Sequence, residues 1–86
     1  MPKIIMYSTR FCPYCVRADY LLQEKGVSAE KIMIDSNPDE MRIMMERSQR
    51  RTVPQIFIDE YHVGGYDDLV ALDQAGELDP LLFSED

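Results

Sequence analysis

The chain is short of basic residues, of cysteine and histidine, and of long apolar runs. Nine Lys and Arg stand against sixteen Asp and Glu, a formal net charge of −7. A phosphate backbone or an anionic membrane surface is held by clustered cations, so neither nucleic acid nor a membrane is an expected partner. No stretch approaches the roughly 20 consecutive apolar residues of a membrane span. Met1 to Tyr7 lacks a signal peptide's apolar stretch and small cleavage-site residues, so the expected location is the cytoplasm. Two cysteines are a meagre disulfide framework, and a bridge across two intervening residues would restrain little of the unfolded chain. A structural zinc site wants four Cys or His ligands; beyond the cysteines the chain offers only His62, and no bound metal is expected.

What is present suits one small domain over residues 1–86, expected to be a monomer, with 45% hydrophobic residues to build a core. Disorder is expected only at Ser84, Glu85 and Asp86. Lys3 to Tyr7 (KIIMY) reads as a strand buried on both faces. From Pro13 the apolar positions Val16, Ala18, Tyr20, Leu21 and Leu22 recur at largely helical spacing until Lys25-Gly26 supplies a basic last turn and a stop. Lys31 to Asp35 is a second β-type run. Ser36 to Glu40 then gives a capping residue, a proline and two acids, which predicts a second helix to about Ser48.

After Arg50-Arg51-Thr52-Val53-Pro54, the runs 55–59 and 61–63 read as a hairpin around Asp59-Glu60, closed by Gly64-Gly65. Asp67 to Gln74 returns to helical spacing with Gly76 as its stop, and Asp79-Pro80 could cap a last short turn through Phe83. The predicted order is β-α-β-α-β-β-α: an α/β fold with a small mixed four-stranded sheet, a parallel first crossover, an antiparallel hairpin, and helices on both faces.

The cysteines of "CPYC", Cys12 and Cys15, fall where the first strand becomes the first helix. Spacing i, i+3 on a first helical turn puts both sulfurs on one face, with Cα atoms near the roughly 5.5–6 Å a disulfide prefers. Unpaired amides of that turn, those of Tyr14 and Cys15, together with the helix dipole favour a thiolate at Cys12. Such surroundings lower a cysteine's pKa from about 8.5 to as little as about 3.5–7.5. Cys12 is therefore the expected nucleophile, and the more shielded Cys15 the thiol that resolves a mixed disulfide on it. Pro13 stiffens the turn without losing a helical bond, Tyr14 is expected across the rim, and Arg10 and Arg17 add positive potential. Two incidental buried cysteines remain the plain alternative, because free Cys is a common core residue. C-x-x-C at a strand-to-helix turn favours the redox reading.

With "CPYC" at 12–15, "TVPQIFID" at 52–59 and "GGYDDL" at 64–69, the sequence resembles the dithiol glutaredoxins, particularly the short bacterial glutaredoxin 3 type, over essentially the whole chain. The resemblance implies the thioredoxin-like fold, and glutathione as co-substrate with no tightly bound cofactor. The implied partners are glutathionylated and disulfide-containing proteins. It implies a cis Val53–Pro54 bond facing Cys12, with Thr52, Val53 and Pro54 along a glutathione groove. The backbone of Val53 would pair with the peptide of glutathione as an added strand does. Without the resemblance, a loop proline ending helix two is the simpler reading.

Gly65, Tyr66, Asp67 and Asp68 are implied to take the γ-glutamyl end: amides for its carboxylate, an aspartate for its ammonium. Alone, they read as a turn and acidic helix start. The sequence departs from the family at Thr9, where many relatives carry Lys, at Met41, where a polar residue is usual, and at Tyr66, where many have Cys. The cation for the glycyl carboxylate is thus sought among Arg10, Arg42 and Arg51. His62 reads as an exposed strand residue, Met33, Met41, Met44 and Met45 as core and groove filling, and Asp19, Glu24 and Glu30 as a solvated face. The implied rivals are a relative recharged by thioredoxin reductase and a cluster-bridged dimer.

Overall fold

The computed structural model describes residues 2–83; the disorder expected at Ser84 to Asp86 lies outside them. Strand β1 (Ile4–Ser8) leads through a short loop into helix α1 (Pro13–Glu24), followed by β2 (Glu30–Met33), α2 (Pro38–Ser48), the hairpin β3 (Gln55–Ile58) and β4 (Tyr61–Gly64), then α3 (Tyr66–Gln74) and the single-turn α4 (Leu78–Leu82). The sheet order is β2-β1-β3-β4. β1 runs parallel to β2 and antiparallel to β3, and β3 runs antiparallel to β4. The predicted order of elements and the mixed sheet are the observed ones.

Alternation along the central strands sorts the core into two layers. Ile4 and Met6 of β1 and Ile56 and Ile58 of β3 face Ala18 and Leu22 of α1, Leu69 of α3, and Leu78 and Leu82 of α4. Tyr7 and Phe57 point the other way, onto Ile34 just after β2 and onto Met44 of α2. Helices therefore cover both faces, as the apolar runs of β1 and β3 require.

The helix ends follow local chemistry. The side-chain oxygen of Asn37 accepts from the Glu40 N–H at 3.4 Å, with Pro38 at the first helical position. Gly26, at φ +84°, takes the left-handed position just past α1 that a side chain would resist. Lys25 closes α1 and bridges Asp73 of α3 (2.6 Å) and Asp79 of α4 (2.9 Å), which hold its pKa above the ordinary lysine range. Two local readings are corrected. β2 lies a residue or two earlier than the run 31–35, because its parallel register with β1 ends at Ser8 and Met33. Asp79 and Pro80 do not cap α4 but lie within its first turn behind Glu77, where proline's missing N–H would have had no helical partner.

Candidate active site

Cys12 and Cys15 are joined in a disulfide, with Cα atoms 5.2 Å apart. Cys12 is the N-cap of α1: its backbone is extended, its carbonyl accepts the first helical bond from Val16 N–H at 3.1 Å, and its Sγ accepts from the Cys15 N–H at 3.1 Å. A helix N-terminus with an amide aimed at sulfur favours negative charge there. Cys15 is buried on the α1 side of the sheet, whereas Cys12 is half-buried at the surface. The preceding loop is held by the Arg10 N–H, which donates to the Asp35 carboxylate at 3.0 Å.

The loop between α2 and β3 approaches from across the sheet. Its Val53–Pro54 bond is cis, and the Val53 carbonyl oxygen lies 3.9 Å from Cys12 Sγ. Beside this contact opens a cleft of about 300 Å³. Thr52, Val53 and Pro54 form one wall, Gly65 to Asp68 the other, and Tyr14 and Arg50 complete the lining. The rings of Tyr14 and Tyr66 stand 6.1 Å apart at the mouth, with the Arg17 guanidinium 5.3 Å over Tyr14. A larger hollow of about 520 Å³ lies between the β3–β4 turn and Gly76 to Leu81 and is lined by no residue of the cysteine turn or the cis-proline loop.

The two aspartates have different surroundings. Asp68 Oδ2 accepts from the Gly65 N–H and from Arg50, each at 2.8 Å, and these bonds, Arg50 first, hold its carboxyl below the usual range. Gly64, at φ +111°, passes so close to this carboxylate that a Cβ there would collide with it. Asp67 is exposed at the cleft wall. Among the arginines sought from sequence, Arg10 lines a second cleft of about 240 Å³ on the other side of the disulfide. Arg42 is paired with Glu46 along α2 (3.1 Å), and neither it nor the exposed Arg51 lines the cleft of about 300 Å³.

Sequence reasoning missed Arg50. The doublet 50–51 was a visible signal, but which arginine lines the cleft is decided by the loop. His62 is also not the exposed residue expected. It is half-buried, stacked on Phe57 at 4.8 Å and 26°, with Nε2 2.8 Å from Gln55 Oε1. Burial, then the charge of Arg50, lowers its pKa. Among the described residues, no three Cys, His, Asp or Glu gather as metal ligands, and no helix is long and apolar enough to cross a membrane.

A vicinal-type dithiol at a helix N-terminus, opposed by a cis-proline loop on a four-stranded mixed sheet, defines a thiol–disulfide oxidoreductase of the thioredoxin-like fold. The glutaredoxin family model matches residues 4–63. Glutaredoxin 3 of Escherichia coli K12 is 54% identical over 82 residues, spanning 95% of this chain and 99% of its own. The solution structure of Brucella melitensis glutaredoxin superposes with a TM-score of 0.83 at 49% identity, covering 95% of this chain and 89% of that one. The crystal structure of a buckwheat glutaredoxin–glutathione complex gives 0.85 at 28% identity, over 94% and 76%. The chain belongs to the glutaredoxin family and is a glutathione-dependent thiol–disulfide oxidoreductase of the bacterial glutaredoxin 3 type.

Proposed function

We propose that Cys12 is the nucleophile and that the cleft between Thr52 and Asp68 holds the glutathionyl half of the substrate. The Cys12 thiolate attacks the glutathione sulfur of a protein–glutathione mixed disulfide. The S–S bond breaks, the protein leaves as a thiolate that takes up a proton, and Cys12 carries glutathione. The thiolate of a second glutathione attacks that bound sulfur, forming glutathione disulfide and returning Cys12 to a thiolate. With a protein disulfide, Cys12 bonds the protein, Cys15 displaces it, and two glutathiones in turn reduce the resulting Cys12–Cys15 disulfide.

The observation that carries this reading is the pairing of one amide, Cys15 N–H at 3.1 Å from Cys12 Sγ, with one acceptor edge, Val53 O at 3.9 Å. The first favours the attacking thiolate; the second is the main-chain edge along which a peptide can lie. Tyr66 and Asp67 line the cleft, and their first-turn amides, which precede the helical ladder that begins at Leu69 N–H, suit the γ-glutamyl carboxylate. Asp67 then takes the ammonium, since Asp68 is already engaged by Gly65 and Arg50. Arg50 also lines the cleft and gives only one nitrogen to Asp68, keeping further N–H donors for glutathione's other carboxylate, which puts it ahead of Arg10, Arg42 and Arg51. The enzyme acts as a cytoplasmic monomer on glutathionylated or disulfide-bonded proteins, where a glutathione pool supplies electrons.

Reduction of a small glutathione mixed disulfide, coupled to glutathione reductase, tests the roles with Cys12→Ser and Cys15→Ser. Activity should vanish with the first and persist with the second, while reduction of a protein disulfide should need both. A Cys15→Ser variant with full activity on a protein disulfide would overturn the assignment.

A further inference from the structure

Gln55 opens β3 directly after the cis proline, and its side chain is completely buried. Both ends of its amide are used. The nitrogen donates to the Thr52 carbonyl at 3.1 Å and to the Thr52 hydroxyl at 3.3 Å. The oxygen faces His62 Nε2 at 2.8 Å, so that nitrogen carries the hydrogen and donates. His62 is itself fixed by its stack on Phe57, over whose ring the Arg47 guanidinium also sits at 3.9 Å. A chain of contacts thus runs from the rigid β3–β4 ladder, through one amide, to the loop whose next residue touches Cys12.

Thr52 itself is exposed. Water could satisfy its two oxygens if Gln55 were gone, so the bonds are not needed to avoid an unpaired buried group. What they add is location: Val53 and Pro54 of the loop are held by packing, and these bonds tie the exposed Thr52 before them to the sheet, restricting the backbone that must meet the substrate.

We propose that Gln55 and His62 are positioning residues, holding the Thr52–Val53 edge at the distance from Cys12 that glutathione recognition requires. This rests on the assignment of the cleft to glutathione. Neither residue touches the reacting sulfurs; they act through Thr52.

The test compares the full native chain with Gln55→Leu, His62→Phe and the double variant. Leucine approximates glutamine's volume, and phenylalanine keeps the stack on Phe57. Three quantities are read: kcat and KM for a small glutathione mixed disulfide, stability to denaturant, and the Cys12 thiol pKa. Each variant should raise KM about three- to tenfold, the worth of roughly one net hydrogen bond, with kcat within about twofold and the thiol pKa unmoved. The double variant should recover part of the stability lost by His62→Phe, because the amide oxygen and its donor go together, yet keep the raised KM. Native KM in every variant overturns the proposal, as does a double variant in which KM and stability recover together, the mark of a purely structural pair. A shifted thiol pKa with reduced kcat also overturns it, placing the effect on the nucleophile. A native chain inactive on this substrate removes the cleft assignment and the proposal with it.

Discussion

Gly64 and Gly65 are neighbours in sequence but not in consequence. At Gly64 the backbone has φ +111°, and an added Cβ would collide with the Asp68 carboxylate. Gly64→Ala therefore carries backbone strain of about 1–3 kcal/mol. It also displaces Asp68 from the Gly65 N–H and from Arg50, a cap worth about 1 kcal/mol and a half-exposed ion pair worth about 0.2–1 kcal/mol. The total is about 2–5 kcal/mol, a large part of what holds so small a domain together. At Gly65 the backbone is extended, and a Cβ would lie 3.5 Å from the Pro54 carbonyl, an ordinary contact. Gly65→Ala should change stability by no more than about 0.5 kcal/mol.

A double-mutant cycle tests the mechanism as well as the size. Asp68→Ala should cost about 1–2 kcal/mol in the native chain and nearly nothing in Gly64→Ala, where those bonds are already lost. Denaturant midpoints at unchanged m-value are the readout. Equal costs for the two glycine variants, or an Asp68→Ala cost that is the same in both backgrounds, would refute the reasoning.

Arg50→Met should raise KM for a small glutathione mixed disulfide about tenfold or more, since a charge-assisted bond contributes about 1.5–3 kcal/mol. Arg42→Met, whose guanidinium pairs with Glu46 on α2, should leave KM within about twofold; steady-state kinetics of both variants decides between them. His62 is the sole histidine, and its folded pKa lies below 6.5, so above 6.5 its burial costs nothing in protonation. As pH falls below 6.5 the unfolded chain takes up the proton first, and stability declines until the folded pKa is reached. Denaturation at pH 7.5 and 5.5 should show this decline in the native chain and not in His62→Phe; equal declines would contradict the assignment. Asp67→Asn should weaken use of the glutathione mixed disulfide while leaving stability nearly unchanged, because Asp67 is exposed and Asp68 supplies the cap.

Much of the fold was legible because its signals are local. Cys12-Pro13, Asn37-Pro38 and Lys25-Gly26 each set a helix end through atoms within four residues, and the alternation in β1 and β3 follows from strand geometry alone. The cysteine pair was legible for the same reason. The cleft was legible in outline, through "TVP" and "GGYDD", but its assignments depend on contacts between distant segments. Arg50 reaches Asp68 across eighteen positions and lines the cleft, while the adjacent, exposed Arg51 does not line it. No periodicity distinguishes them. Gln55 and His62 meet because β3 and β4 pair with Phe57 opposite His62, which puts Gln55 two positions along the same face as its diagonal neighbour. A strand pattern read one residue at a time leaves such a histidine at the surface.

The amide that faces Cys12 Sγ belongs to the main chain of residue 15, not to its side chain. Any replacement of Cys15 other than proline keeps that donor, so a single codon change can remove the second thiol and leave the first as well supported as before. Activation of the nucleophile and possession of a resolving partner are therefore separately heritable. A lineage carrying this scaffold could gain or discard the two-thiol chemistry without rebuilding the one-thiol chemistry beneath it.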